Sequence, residues 1–102
     1  MLELRPNCEL CDRDLPPASP EARICSYECT FCADCVENVL RDVCPNCGGG
    51  FRPRPIRPAH AWRDGTGLVN DPPGERRRRA AYTHAEIEAF SETLRAVPPA
   101  ER

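Results

Sequence analysis

The chain has 102 residues, and 40% of them are hydrophobic in a count that includes eight cysteines. Twelve prolines and six glycines leave little room for long regular elements, so we expect one small domain whose core is too small to fold unaided. The formal charge is -2, with arginine as the only basic residue besides two histidines, which is not the balance of a nucleic-acid-binding protein.

The first residues, MLELRPNCEL, carry charges and contain no apolar run of the length that a signal peptide needs. No later segment approaches the length of a membrane span. We therefore expect a cytoplasmic protein. In that reducing compartment, eight cysteines indicate metal ligands rather than a disulfide framework.

All cysteines fall in residues 1–51, which we interpret as one metal-binding module. Their spacing is Cys8-x2-Cys11-x13-Cys25-x3-Cys29-x2-Cys32-x2-Cys35-x8-Cys44-x2-Cys47. A C-x-x-C pair forms a tight turn that directs both sulfurs at one ion, and zinc takes four such ligands tetrahedrally at about 2.3 Å. Eight ligands predict two closed Zn²⁺ sites with no open position for a substrate. The spacing alone permits sequential pairing, as in tandem zinc ribbons, as well as interleaved pairing.

Within this module, residues 33–42 are predicted to form a short helix with Val36, Val39 and Leu40 on its inner side.

If all eight cysteines are thiolates around two divalent ions, each site carries a charge of -2, and the charge of the chain becomes about -6.

Residues 52–79 contain RPRPIRP, DPPG and the run Arg76 to Arg79, with hardly any hydrophobic periodicity. We interpret them as an extended, poorly ordered linker. The arginine run suggests contacts with the phosphates of a nucleic acid as one alternative function, but it lacks interleaved aromatic residues, and a solvated linker is favoured.

The pattern of residues 80–97 predicts an amphipathic helix. Thr83 and Glu86 have the spacing of a capping box, and the apolar residues Ile87, Phe90, Leu94 and Val97 follow at helical spacing. Residues 98–102 are expected to form a disordered tail. So short a helix is marginal alone in water, so it should pack on the cysteine module or on another chain. Ile87, Phe90 and Leu94 are therefore candidate partner-binding residues.

The order of the eight ligands resembles that of the RING finger family. The resemblance implies a small zinc-stabilised α+β fold with a short β-hairpin and one short helix, in which alternate ligand pairs share an ion in a cross-brace. Carried over to this chain, site 1 would consist of Cys8, Cys11, Cys32 and Cys35. Site 2 would consist of Cys25, Cys29, Cys44 and Cys47. The family usually has histidine at the fourth or fifth ligand, where this chain has cysteine.

The resemblance extends to two apolar positions. Leu10 lies within the first C-x-x-C pair and Pro45 within the last, where RING ligases use an apolar residue and a proline to dock a ubiquitin-conjugating enzyme. Active ligases often carry a basic residue just after the final ligand, and this chain has Gly48 there. That departure weakens the ligase interpretation.

The stretch from MLELRPNC through CPNCGGG to RPIRPA resembles, over roughly the first sixty residues, a family of short bacterial cysteine-rich proteins known as domain of unknown function 1272. This resemblance implies a bacterial origin and zinc binding, and it implies no activity.

These features predict a small zinc-binding protein that acts as a protein-protein interaction module without intrinsic catalysis. The alternatives are a RING-type ligase adaptor that recruits a conjugating enzyme, and nucleic-acid binding through Arg76 to Arg79. No membrane contact is expected.

Overall fold

A three-stranded antiparallel sheet forms the centre of the cysteine module in the computed structural model, which describes residues 1–102. Strands β1 (Ala22–Ile24) and β2 (Thr30–Cys32) make a hairpin, and β3 (Arg52–Pro53) pairs with the other edge of β1. The strand order is β2-β1-β3. Proline is tolerated in β3 because an edge strand needs only half of its amides for the sheet.

Helix α1 (Ala33–Cys35) begins directly after β2 and continues as one wider π-helical turn, Val36–Leu40. It ends because Arg41 and Asp42 adopt left-handed backbone conformations, with φ of 52° and 61°. Val36 and Leu40 are buried, and Val39 packs against them, so the predicted inner side is confirmed. The predicted end at Asp42 is two residues too late.

Thiols occupy much of the hydrophobic core. Its cluster of 14 buried residues includes six of the eight cysteines, together with two phenylalanines in edge-to-face contact, Phe31 and Phe51, whose ring centroids lie 5.5 Å apart. Aliphatic side chains supply most of the rest. A core with so few large apolar groups supplies little stabilisation by burial alone.

Helix α2 (His84–Leu94) begins with the predicted capping box. The hydroxyl of Thr83 accepts a hydrogen bond from the Glu86 backbone amide at 3.2 Å, and the Glu86 carboxylate accepts one from the Thr83 amide at 3.0 Å. The helix is shorter than the predicted residues 80–97. No helix of the chain is both long enough and apolar enough to cross a membrane.

Helix α2 packs against the end of α1 in the same chain. Ile87 is fully buried there, and the buried Ser91 hydroxyl donates a hydrogen bond of 2.8 Å to the Leu40 carbonyl. The same carbonyl also accepts from the Val43 amide at 3.0 Å, so Ser91 adds a second hydrogen bond at the end of the first helix. Phe90 was expected on the same inner face, but its side chain is 40% exposed, because Ser91 takes the inward position.

Arginine side chains attach residues 52–79 to the cysteine module, where we expected a poorly ordered linker. The guanidinium of Arg54 is buried and donates to the backbone carbonyls of Arg5, Leu15 and Pro16 at 2.9 to 3.1 Å. Arg57 donates to the carbonyl of Leu2 at 2.7 Å. A guanidinium offers five donors, so one side chain can join several loops that have no regular structure.

The last residues also contact the module, where we expected a disordered tail. They form a 3₁₀ turn, Pro99–Glu101, and Arg102 donates to the carbonyls of Asp42 at 2.7 Å and Gly48 at 3.1 Å. The C-terminal segment, residues 79–102, therefore lies along the module from the first C-x-x-C turn to the last.

Replacing Ile87 by alanine should lower the free energy of unfolding by about 2–5 kcal/mol, because it leaves a cavity between α1 and α2. The matched variant Phe90→Ala removes an exposed ring and should cost much less. Urea unfolding followed by circular dichroism at a fixed zinc concentration measures both. Equal losses would show that Ile87 is not the residue that packs α2 against α1.

Candidate metal centre

The first cysteine cluster joins two distant parts of the chain. The Sγ atoms of its four members all lie within 4.8 Å of one another, and the members are Cys8, Cys11, Cys32 and Cys35. The Sγ atoms of Cys11 and Cys32 are 3.8 Å apart. Two ligands at 2.3 Å from a tetrahedral ion are separated by about 3.8 Å, whereas a disulfide would bring the sulfurs to about 2.05 Å. The spacing therefore fits a shared ion.

The second cluster is less regular. The Sγ atoms of Cys25, Cys44 and Cys47 lie within 4.8 Å of one another. The fourth predicted ligand, Cys29, is buried, and its thiol contacts those of Cys25 and Cys44 but is not within that distance of all three. Cys29 therefore lies next to the cluster, with its Sγ atom more than 4.8 Å from at least one of the other three.

The two clusters interleave along the chain. The first takes its cysteines from the N-terminal turn and from the junction of β2 with α1. The second combines Cys25, at the end of β1, with the C-P-N-C turn that follows α1. This arrangement is the cross-brace expected of the fold, and it ties the sheet, the helix and both turns together. All eight thiols are free of disulfides.

The first and the last C-x-x-C turns, Cys8–Cys11 and Cys44–Cys47, share one backbone geometry. In the first, the amide of Asp12 donates to the Cys8 carbonyl at 2.9 Å, and in the second, the amide of Gly48 donates to the Cys44 carbonyl at 2.7 Å. Both donors come just after the second cysteine and have positive φ, 65° for Asp12 and 79° for Gly48. Aspartate and glycine accept this conformation at lower cost than most residues do.

Backbone and side-chain N–H groups point at the sulfurs. In the first cluster, the Cys11 amide donates to Cys8 Sγ at 3.5 Å. In the second, the amides of Tyr27 and Gly49 donate to the Sγ atoms of Cys25 and Cys47 at 3.3 and 3.4 Å. The side-chain amide of Asn46 donates to Cys29 Sγ at 3.4 Å. Such donors hold thiolate ligands in position and offset part of their charge.

The thiols of each cluster oppose one another's ionisation. The pKa of Cys25 is lowered to about 3, because the thiols of Cys29 and Cys44 donate hydrogen bonds to its sulfur. Hydrogen bonds of Cys44 with Cys25 and with Cys29, together with burial, raise the pKa of Cys44. In the first cluster, burial raises the pKa of Cys35. One thiolate is thus favoured at the expense of its neighbours, and a bound cation is what allows all of them to ionise together.

The predicted docking positions for a conjugating enzyme are not free. Leu10 and Pro45 are both buried. A Cβ added to Gly48 would lie 3.0 Å from Leu94 Cδ1 of helix α2, so a basic residue fits at this position only if the Leu94 side chain moves. Arg79 donates to the carbonyl of Leu10 at 3.1 Å. The C-terminal segment lies against Gly48, donates to the carbonyl of Leu10, and forms a surface groove together with Pro45.

Two residues of the site could not be foreseen from the cysteine pattern. Asn46 contacts a cysteine of another turn, and Ser91 holds α2 beside the second cluster. Asparagine within a C-x-x-C turn and serine within an apolar helix face are the only signals that the sequence offers for them.

Residues 1–57 match the family described as protein of unknown function (DUF1272). The chain belongs to this family. The match contains all eight cysteines and ends before the arginine run and α2, as the resemblance over roughly the first sixty residues predicted. An uncharacterised protein of Rhizobium meliloti (strain 1021) is 55% identical over 84 residues, 79% of this chain and 100% of the relative. No solved structure matches the chain.

Gly48→Ala should destabilise the protein more than Gly65→Ala does. Both glycines have positive φ, 79° and 77°, so each variant bears a backbone cost of about 1–2 kcal/mol. The added methyl at Gly65 meets nothing within 4 Å, whereas at Gly48 it meets Leu94 and should cost about 1–3 kcal/mol more. Thermal unfolding of both zinc-loaded variants measures the difference, and equal effects would show that α2 does not lie over this turn.

Proposed function

We propose that this protein is a small, non-catalytic two-zinc module that binds another protein. The single observation that carries the metal assignment is the pair of interleaved thiol clusters, with a sulfur-sulfur distance of 3.8 Å in the first. The interaction role is supported by two partly exposed aromatic residues beside the second cluster, Tyr82 and Phe90.

Zinc is the metal that such ligands select. A set of four thiolates in tetrahedral arrangement favours Zn²⁺ or iron over Ca²⁺, Mg²⁺ and Mn²⁺, which prefer oxygen ligands. Zinc has no redox chemistry, and its structural sites are closed by four protein ligands. We assign Cys8, Cys11, Cys32 and Cys35 to one ion. Cys25, Cys29, Cys44 and Cys47 are assigned to the other, and Cys29 would complete its tetrahedron by a small movement.

The ions take the role that a larger apolar core has in other domains. Binding to such a site supplies on the order of 10 kcal/mol, and this free energy is linked directly to folding. With both sites closed by thiolates, neither ion offers a position where a substrate or an activated water would bind. We therefore propose a structural role for both.

The two alternative functions meet specific obstacles. Leu10 and Pro45 are buried, so a conjugating enzyme would find little of either residue at the surface. Three arginines of the run pair with carboxylates of the module: Arg77 with Asp12 and Asp14, Arg78 with Glu3, and Arg79 with Asp12. A phosphate backbone would have to compete with these carboxylates.

The freshly purified, reduced protein should carry two zinc ions in native mass spectrometry. Cys8→Ser and Cys25→Ser should each lose one ion, since each removes a ligand of a different site. The matched control Ser26→Ala changes an exposed residue next to Cys25 and should keep both. Removing the metal with a chelator should collapse the amide dispersion of residues 8–47, because the folding of that region is linked to the metal.

Three results would contradict the proposal. They are a metal-free protein with intramolecular disulfides, iron in place of zinc, and amide signals that stay dispersed after the metal has been removed.

A further inference from the structure

A groove of about 400 Å³ lies between the C-P-N-C turn and helix α2. Its lining consists of Pro45, Asn46, Tyr82, Glu86, Ile87 and Phe90. Residue Ile87 is 1% exposed, whereas residues Tyr82 and Phe90 are 47% and 40% exposed. The groove therefore combines buried aliphatic surface with two aromatic rings that a ligand can reach.

The polar groups of the groove favour a cationic hydrogen-bond donor. Glu86 is its one charged residue, and it is an anion. One carboxylate oxygen of Glu86 accepts from the Thr83 amide, which also lowers the pKa of this carboxyl, and the other has no partner within the chain. Asn46 donates through its side-chain nitrogen to Cys29, so its carbonyl oxygen remains an unused acceptor.

The neighbouring metal site adds negative charge, and here the inference rests on the proposed function. Pro45 and Asn46 lie between two ligands of the second cluster, Cys44 and Cys47. Four thiolates around one Zn²⁺ have a net charge of -2, which raises the local preference for a cation.

We propose that this groove binds an arginine side chain of a partner protein. The guanidinium donates hydrogen bonds to the carboxylate of Glu86 and to the side-chain carbonyl of Asn46, and it stacks on Tyr82 or Phe90. Arginine fits better than lysine because a planar guanidinium bonds two acceptors and stacks on an aromatic ring at the same time.

The arginine comes from another chain. None of the residues that line the groove is basic. Arg79, which precedes Tyr82 by only three positions, is held by the Leu10 carbonyl and lies near Asp12. No basic side chain of the same chain therefore occupies the groove.

The test is an NMR titration of the full-length, ¹⁵N-labelled protein after native mass spectrometry has established its zinc content. The probe is the blocked peptide Gly-Leu-Arg-Leu-Gly, and the control peptide carries citrulline, a neutral isostere, in place of arginine. The arginine peptide should shift the amide signals of Asn46, Glu86 and Phe90 in a saturable way. The citrulline peptide should bind at least about tenfold more weakly, since it lacks the charge.

Two glutamate variants separate a specific contact from general attraction. Glu86→Gln keeps the capping box, because glutamine serves at that position as well, and it should weaken binding of the arginine peptide about tenfold. Glu92→Gln removes an equal charge from an exposed position of the same helix outside the groove, and it should leave binding unchanged.

Several outcomes would overturn the proposal. Equal binding of both peptides would show that charge is not recognised, and equal weakening by both variants would show that the contact is not specific. Shifts at another surface, or concentration-dependent shifts without peptide, would place the ligand elsewhere or make it a second copy of the chain. If two zinc ions are bound but the peptide causes no shift, the arginine-binding site is refuted and the proposed two-zinc module is not. Fewer than two ions would refute the proposed function and remove the charge that the groove requires.

Discussion

The convergence of four sulfur atoms on one point is the constraint on which the rest of this structure depends. Buried thiols that crowd together cannot ionise without a cation, because each negative charge opposes the next. The structure nevertheless gathers them in two places, and it surrounds them with N–H donors that suit thiolates. Two turns of the module show this requirement in their backbone conformation. The left-handed residues after Cys11 and Cys47 turn the chain so that both sulfurs of a pair face the same centre.

A second consequence concerns the C-terminal segment. The two thiol clusters lie in a small module that has few large apolar residues of its own. Helix α2 packs against this module, with Ile87 in the core and Ser91 bonded to the end of α1. The arginines of residues 52–79 hold the intervening chain in place through backbone carbonyls and carboxylates. The segment thereby lies against the turns that contain Leu10 and Pro45, the positions that resemble the docking face of a RING ligase.

The cysteine spacing and its resemblance to known ligand orders predicted the cross-brace, the hairpin and the first helix. The capping box likewise predicted the start of α2, because both signals are local and depend on fixed offsets. The sequence could not predict the path of residues 52–79. Their contacts join arginines to carbonyls and carboxylates about 40 to 75 positions away, and such pairs leave no periodicity in the sequence. The exposure of Phe90 was missed for a similar reason, since a serine that bonds to a distant carbonyl outweighed the apolar pattern.

The central claim is that two ions each link ligands from distant parts of the chain. A ¹H–¹¹³Cd correlation spectrum of the cadmium-substituted protein tests it most directly, because only the β-protons of ligating cysteines couple to a given ion. We expect one cadmium to correlate with Cys8, Cys11, Cys32 and Cys35, and the other with Cys25, Cys29, Cys44 and Cys47. Correlations that group the cysteines in sequential order, or a single cadmium signal, would contradict the account.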